Sequence, residues 1–182
     1  MHAVANGDHA AFESLVRRHA PRMYALARRL CGCPSEAEEI VQEAFLRIWV
    51  HAGRWSLEKG SFVVWFARIV VNLCVDRQRR DRYQPLENED ALIAEDEELA
   101  ARLFREQVAE RVARAVAGLP PRQRSALVLC YYEGFSNAEA AAVLEVTVGA
   151  VEALLVRARS NLRKRLAAVL PLEENADVGL KD

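Results

Sequence analysis

The sequence predicts an all-α protein built from two small helical domains joined by a flexible acidic linker. Three observations carry that prediction. Apolar residues recur at steps of three and four through most of the chain, and no stretch alternates with the two-residue period of a half-buried strand. A length of 182 residues leaves room for one domain or two small ones. Charge falls in blocks: residues 1–83 sum to +4, 84–99 to -7, 100–170 to +5 and 171–182 to -3, so the net -1 hides two basic segments separated by an acidic one.

The first helix is expected from Asp8 to Leu30. Phe12, Leu15, Val16, His19, Met23, Leu26, Ala27 and Leu30 form its inner stripe, Arg17, Arg18, Arg22, Arg28 and Arg29 lie largely off it, and Pro21 is expected to kink or divide it. Cys31 to Pro34 reads as a turn. Ser35, with Glu38 three residues on, has the spacing of a capping box that opens a second helix. That helix turns Ala37, Ile40, Val41, Ala44, Phe45, Ile48 and Trp49 inward and Glu36, Glu39, Gln42, Glu43 and Arg47 outward. Carboxylates do not bind phosphate, so the outward face is either plainly solvated or a surface for docking protein.

Gly53 to Gly60 is a short polar loop that leads into a helix starting at Ser61. Phe62, Trp65, Phe66, Ile69 and Leu73 fall on one face of it, Arg68, Asn72 and Asp76 on another, and Arg77, Arg79, Arg80 and Arg82 crowd its end. This combination suits nucleic acid: arginines neutralise phosphate, an asparagine amide reads a base edge, and aromatic rings stack on an unstacked base. A buried helix whose arginines merely offset its dipole and meet water would show the same pattern.

Gln84 to Leu99 contains seven acidic residues and few large apolar ones, which reads as the linker, and a second helical domain follows. Its first helix, from Arg102 to Leu119, carries Leu103, Val108, Val112, Ala115, Val116 and Leu119; Pro120-Pro121 closes it, and Pro121 suits the start of the next. Arg122 to Tyr132 should face Leu127, Leu129 and Cys130 inward and end at Gly134. Ser136 to Arg165 reads as a helix-turn-helix. Ser136 and Glu139 cap the first helix, Glu145-Val146-Thr147 makes the turn, Thr147 caps the second helix, and Val151, Leu155, Ala158, Leu162 and Leu166 form its inner stripe. In DNA-binding proteins the N-terminal residues of such a second helix meet base edges in the major groove.

Other functions find little support. Cys31, Cys33, Cys74 and Cys130 are too dispersed for a disulfide framework, and Cys31-Gly-Cys33 with His19 or His51 lacks a second ligand pair of recognisable spacing, so small core side chains are the expected use. No nucleophile with base and orienter, no phosphate-cradling glycine loop and no cofactor motif is present, which argues against an enzyme. No apolar run approaches the roughly 18 residues of a membrane span, and no leader opens the chain; a cytoplasmic protein is expected.

Taken in order, Asp8-x-x-Ala-Phe-Glu-x-Leu-Val-x-x-His, Glu38-Glu-Ile-Val-Gln-Glu-Ala-Phe-Leu, Gly60-Ser-Phe-x-x-Trp-Phe-x-Arg-Ile, Val71-Asn-Leu, Leu119-Pro-Pro-Arg-Gln-Arg, Glu133-Gly-Phe-Ser and Arg157-Ala-Arg resemble the two-domain bacterial sigma factors of the extracytoplasmic-function group, over roughly residues 8 to 168. The resemblance implies a domain over 1–83 that binds polymerase and melts the -10 element, a linker over 84–100, a -35 reader over 101–170 and a tail over 171–182. It implies RNA polymerase core, promoter DNA and an anti-sigma factor as partners. Glu36, Glu39, Gln42, Glu43 and Leu46 would then dock on polymerase. Trp55, Lys59, Ser61, Trp65, Arg68, Asn72, Asp76, Arg77 and Arg80 would meet the -10 element, with an extruded base held near Asn72. Thr147, Gly149, Ala150, Glu152, Ala153, Val156 and Arg157 would meet the -35 element.

One departure stands out: where the family commonly has a turn glycine, a basic residue and serine early in the reading helix, and a basic residue in the helix before, this chain has Glu145, Glu152, Ala153 and Cys130. A different or weaker -35 preference is expected. An apolar strip at Ala153, Leu154 and Val156 would also suit an anti-sigma factor. Two other functions fit parts of the sequence. A sigma-like decoy that only sequesters an anti-sigma factor would tolerate the weak basic character of the 150s, and a simple helix-turn-helix activator would leave residues 35–82 without a role.

Overall fold

A computed structural model describes residues 1–56, 60–81 and 108–169; the expected linker over 84–100 and tail over 171–182 lie outside the described residues. Those residues form two helical units without a strand.

The first unit opens with a short helix that sequence reasoning missed, α1 (His2–Ala5), which buries Val4. Helix α2 (His9–Cys31) begins where the Asp8 carboxylate accepts the Ala11 N–H at 2.9 Å, and it ends at Gly32, whose φ of 87° is easy only for glycine. Pro21 does not divide it. The ring lies on the exposed side, where the carbonyl released by the missing N–H meets water, and the helix continues.

Helix α3 (Pro34–His51) starts one residue before the expected cap. Pro34 takes the first turn, where an absent N–H costs nothing, and Cys33 is the N-cap residue without a side-chain cap. Ser35 therefore forms no capping box; its hydroxyl lies 3.1 Å from the Cys33 thiol. Helix α4 (Phe62–Asp81) follows a single 3-10 turn, Ala52–Arg54, and its centre is Phe66, Ala67, Val70, Val71, Leu73 and Cys74. Phe62, Trp65 and Ile69 are only half-buried. The inner face is rotated from the expected stripe because α4 packs against α2 and α3 on one side and against the second unit on the other; small and β-branched residues fill the crowded middle.

The second unit begins with α5 (108–117), followed by α6 (Pro121–Leu127), which widens into a π turn over Val128–Tyr132. There the Glu133 N–H reaches the Val128 carbonyl at 3.0 Å. The extra residue in that turn points Val128 and Leu129 inward and leaves Cys130, expected inside, half-buried. The helix-turn-helix is as expected: Ser136 and Glu139 form a complete capping box on α7 (Asn137–Leu144), and Thr147 Oγ1 accepts the Ala150 N–H at 3.2 Å to start α8 (Val148–Val169). Asn161 donates to Gln123 at 2.8 Å and braces α8 on α6.

Met23, Leu26, Leu30, Ile48, Phe66 and Val70 in the first unit, and Leu119, Leu129, Val143 and Val151 in the second, are fully buried. Each contributes about 1.5–3 kcal/mol relative to exposure, which is what holds helices of such modest length in place. Buried residues of the two units are continuous, α4 lying against α6 and α7, and α2 against α6 and the π turn.

Candidate nucleic-acid interface

A groove of about 580 Å³ runs beside the start of α4, walled by Arg47, His51, Arg54, Trp55, Trp65 and Arg68 and closed on the far side by Ala142 of α7. Its aromatic wall is rigid because Phe62 holds both indoles, its ring centre 5.9 Å from that of Trp55 and 5.9 Å from that of Trp65. The Trp55 Nε1–H is buried and has no hydrogen-bond partner among the described residues. The structure thus gathers Trp55, Trp65 and Arg68 of the expected -10 residues. Asn72 and Asp76 follow at one-turn intervals on the same helix, both exposed, and Ser61 is exposed at its start. Arg77 instead turns to α3, where it is bonded to Glu39. Lys59 lies outside the described residues, as does the side chain of Arg80.

Sequence reasoning missed three residues on the rim, Arg47, His51 and Arg54. Arg47 and His51 stand four apart at the end of α3, directly before the loop, and that spacing was the available signal.

The outward face of α3 is open: Glu39, Gln42, Glu43 and Leu46 are exposed and Glu36 partly so. Leu46 is 64% exposed, and Val50, four residues on and not anticipated, is 70% exposed. The two lie one turn apart and form a small solvent-facing aliphatic pair on this face. Glu43 accepts from Arg47 at 2.5 Å, so part of the acidic face is held in fixed geometry.

On α8, Gly149, Glu152, Ala153, Val156 and Arg157 are exposed, Thr147 is exposed at the cap, and Ala150 is half-buried. Leu154 turns partly inward, so the apolar strip consists of Val148, Ala153 and Val156 rather than Ala153, Leu154 and Val156. Glu152 puts a carboxylate on that exposed face.

Titration follows burial and bonding. Burial holds the His19 imidazole below its usual value, helped by Arg18 and Arg22, and burial pushes the Cys74 thiol well up. Ser35 and the Glu36 amide lower the Cys33 thiol, and bonds from Ser136 lower the Glu139 carboxyl. Among the described residues no three His, Cys, Asp or Glu side chains are placed to hold a metal ion, and no helix is long and apolar enough to cross a membrane.

Residues 15–83 match the family model for sigma-70 region 2, and residues 109–162 that for sigma-70 region 4. The chain is 38% identical over 170 residues to the ECF RNA polymerase sigma factor SigE of Mycolicibacterium smegmatis, covering 90% of this chain and 65% of that protein's length. It is 35% identical to the ECF sigma factor SigM of Mycobacterium tuberculosis, over 88% of this chain and 79% of that one. Among solved structures, CnrH in complex with the cytosolic domain of CnrY is similar at a TM-score of 0.68 and 30% identity, over 91% of this chain and 93% of that one.

Proposed function

Because this chain belongs to the extracytoplasmic-function sigma factors of the sigma-70 family, we propose that it binds RNA polymerase core through α3, guides it to promoters read by α4 and α8, and answers to an anti-sigma factor. It makes no covalent bond itself; polymerase supplies the chemistry, in the cytoplasm where promoter DNA is.

The observation that supports this best is the aromatic groove at the start of α4, which reaches Arg68, one turn before the exposed Asn72. Drawing one base out of a duplex costs a few kcal/mol. Stacking on an aromatic face returns about 1–3 kcal/mol per base, and an amide bonded to the base edge adds discrimination of similar size. Trp55 and Trp65 offer the faces, Asn72 the amide, and the surrounding arginines the phosphate contacts. On α3, Leu46 and Val50 supply buried contact area for polymerase while Glu39 and Glu43 set its orientation. On α8, the Glu152 carboxylate weakens the hold on nearby phosphate, and the Val148, Ala153 and Val156 strip gives thymine-methyl contact or a seat for the anti-sigma factor. A decoy that only sequesters an anti-sigma factor accounts for that strip but gives the aromatic groove no use.

Transcription in vitro with core polymerase and a promoter library tests this. Defined start sites sharing -10 and -35 sequences are expected; no specific start above core alone would end the proposal.

A further inference from the structure

We propose that Cys33 and Cys31, on either side of Gly32 at the corner between α2 and α3, form a peroxide-reactive dithiol that closes to an intrachain disulfide. Neither residue belongs to the faces assigned above to polymerase or promoter, so the pair stands whether or not the chain directs transcription.

The four free cysteines are not equivalent. Cys74 is buried at the centre of α4, and burial holds it firmly as a thiol. Cys130 lies in the π turn, 3.7 Å from Asn137 Oδ1. Cys31 and Cys33 are half-buried at a corner whose Gly32 and Pro34 are exposed. Cys33 is the N-cap residue of α3, so its sulfur stands before amides that have no partner within the helix. Its Sγ lies 3.1 Å from Ser35 Oγ, whose hydroxyl can donate to it. The Ser35 hydroxyl and the Glu36 amide favour the thiolate, and the Glu36 carboxylate in the same turn opposes them more weakly. A solvent-accessible thiolate at a helix N-terminus is the form that attacks a peroxide.

Cys31 has the opposite character, because burial keeps it protonated. Its thiol donates to the Cys33 carbonyl at 3.4 Å, so it leans across the turn toward the residue it would join. Cα atoms two residues apart are separated by at most about 7 Å, and Gly32, at φ 87°, bends the chain between them toward the span a disulfide needs. Behind Cys31 stands Arg124 of α6. Its Nη1 donates to the Leu30 carbonyl at 2.5 Å and its Nη2 to the Leu119 carbonyl at 3.3 Å. Its Nε is buried with no partner among the described residues, and the titratable groups it faces are the thiols of Cys31 and Cys74. That cation steadies the thiolate character Cys31 gains as it reacts.

The Cys33 thiolate attacks the terminal oxygen of a hydroperoxide. An S–O bond forms, the O–O bond breaks, and the departing alkoxide or hydroxide takes a proton from water, leaving Cys33 as a sulfenic acid. The Cys31 sulfur then attacks the Cys33 sulfur; an S–S bond replaces the S–O bond, and the hydroxyl leaves as water with the Cys31 proton. Two electrons have passed from the sulfurs to the peroxide. A dithiol reductant reopens the bridge by exchange.

The test is to expose the reduced full chain to hydrogen peroxide at neutral pH and map it by mass spectrometry. Trypsin leaves both residues in one peptide, Leu30 to Arg47, which should become lighter by two hydrogens while Cys74 and Cys130 stay reduced, and should regain its mass with a dithiol. Cys31→Ser should stop at a sulfenic acid on Cys33, trapped by a cyclic diketone reagent, and Cys33→Ser should leave Cys31 reduced at the same dose. Before oxidation Cys33 should be alkylated several-fold faster than Cys130, and Ser35→Ala, which keeps both cysteines, should narrow that gap. Oxidation reaching Cys130 as fast as Cys33, or bridges forming only between two chains, overturns the pair. Should either cysteine variant lose helicity, the wild-type peptide decides, and an unchanged mass after peroxide overturns it.

Discussion

Helices α4 and α8 are both long and both carry arginines toward their ends, but they meet their surroundings differently. The first turns of α4 are half-buried among Phe62, Trp55 and the second unit, and their residues wall a groove. The first turns of α8 stand free, with Glu152, Ala153, Val156 and Arg157 in solvent. An enclosed aromatic wall selects one extruded base by shape, stacking and a single amide; an open helix face reads paired bases by their edges and depends on phosphate contacts for strength. Net charge does not separate the two, because both segments are basic. Local enclosure does.

The sharpest way to break this contrast is Asn72→Ala. The side chain is exposed, so the fold should be unaffected, while the loss of one base-edge contact is worth about 1–3 kcal/mol, or about five- to 150-fold in open-complex formation. Polymerase binding should be unchanged, and permanganate footprinting alongside core-binding assays separates the two quantities. Normal melting would mean that α4 does not read through Asn72.

On α8 the opposite experiment applies. Glu152→Lys replaces a charge that repels phosphate with one that binds it, on an exposed position, so stability should hardly move. Duplex affinity at low salt should rise several-fold, with the salt dependence steeper by about one unit of log-log slope. A gain confined to one -35 sequence, without a steeper slope, would instead make Glu152 a base reader.

How much of this was legible beforehand differs between the same two regions. The capping box at Ser136, the corner at Glu145 to Thr147 and the Val151, Leu155 and Ala158 stripe are local, each fixed by neighbours within a few residues, and the sequence predicts them correctly. The π turn at Val128–Tyr132 escaped because a widened turn keeps a helical periodicity on either side. Around α4 the failures are of another kind. Val70 and Val71 displaced Trp65 and Ile69 from the centre, His51 and Arg54 joined the groove, and Arg77 turned toward Glu39, all because of elements remote in sequence. Glu133 was part of a recognisable motif, yet nothing near it signals that its partners would be Arg22 and Arg29.

The smallest expected effect is also the one most confined to a single region. All four histidines and all three tryptophans precede residue 66, so the second unit has neither. His19 packs edge-on against Phe62, ring centres 5.1 Å apart, and beside Phe66 at 6.4 Å, and burial, reinforced by Arg18 and Arg22, holds its imidazole below the usual histidine range. In the unfolded chain the imidazole takes up its proton first, so its contribution to stability is constant above pH about 6.5 and declines as the pH falls from there toward the folded-state pKa. Denaturation followed by tryptophan fluorescence should therefore show an earlier midpoint at pH about 5.5 than at about 7, and His19→Gln should shrink that difference. A difference that persists undiminished in His19→Gln would place the acid sensitivity elsewhere, and an earlier acid midpoint reported by helicity of the second unit rather than by the tryptophans would reverse the contrast between the two regions.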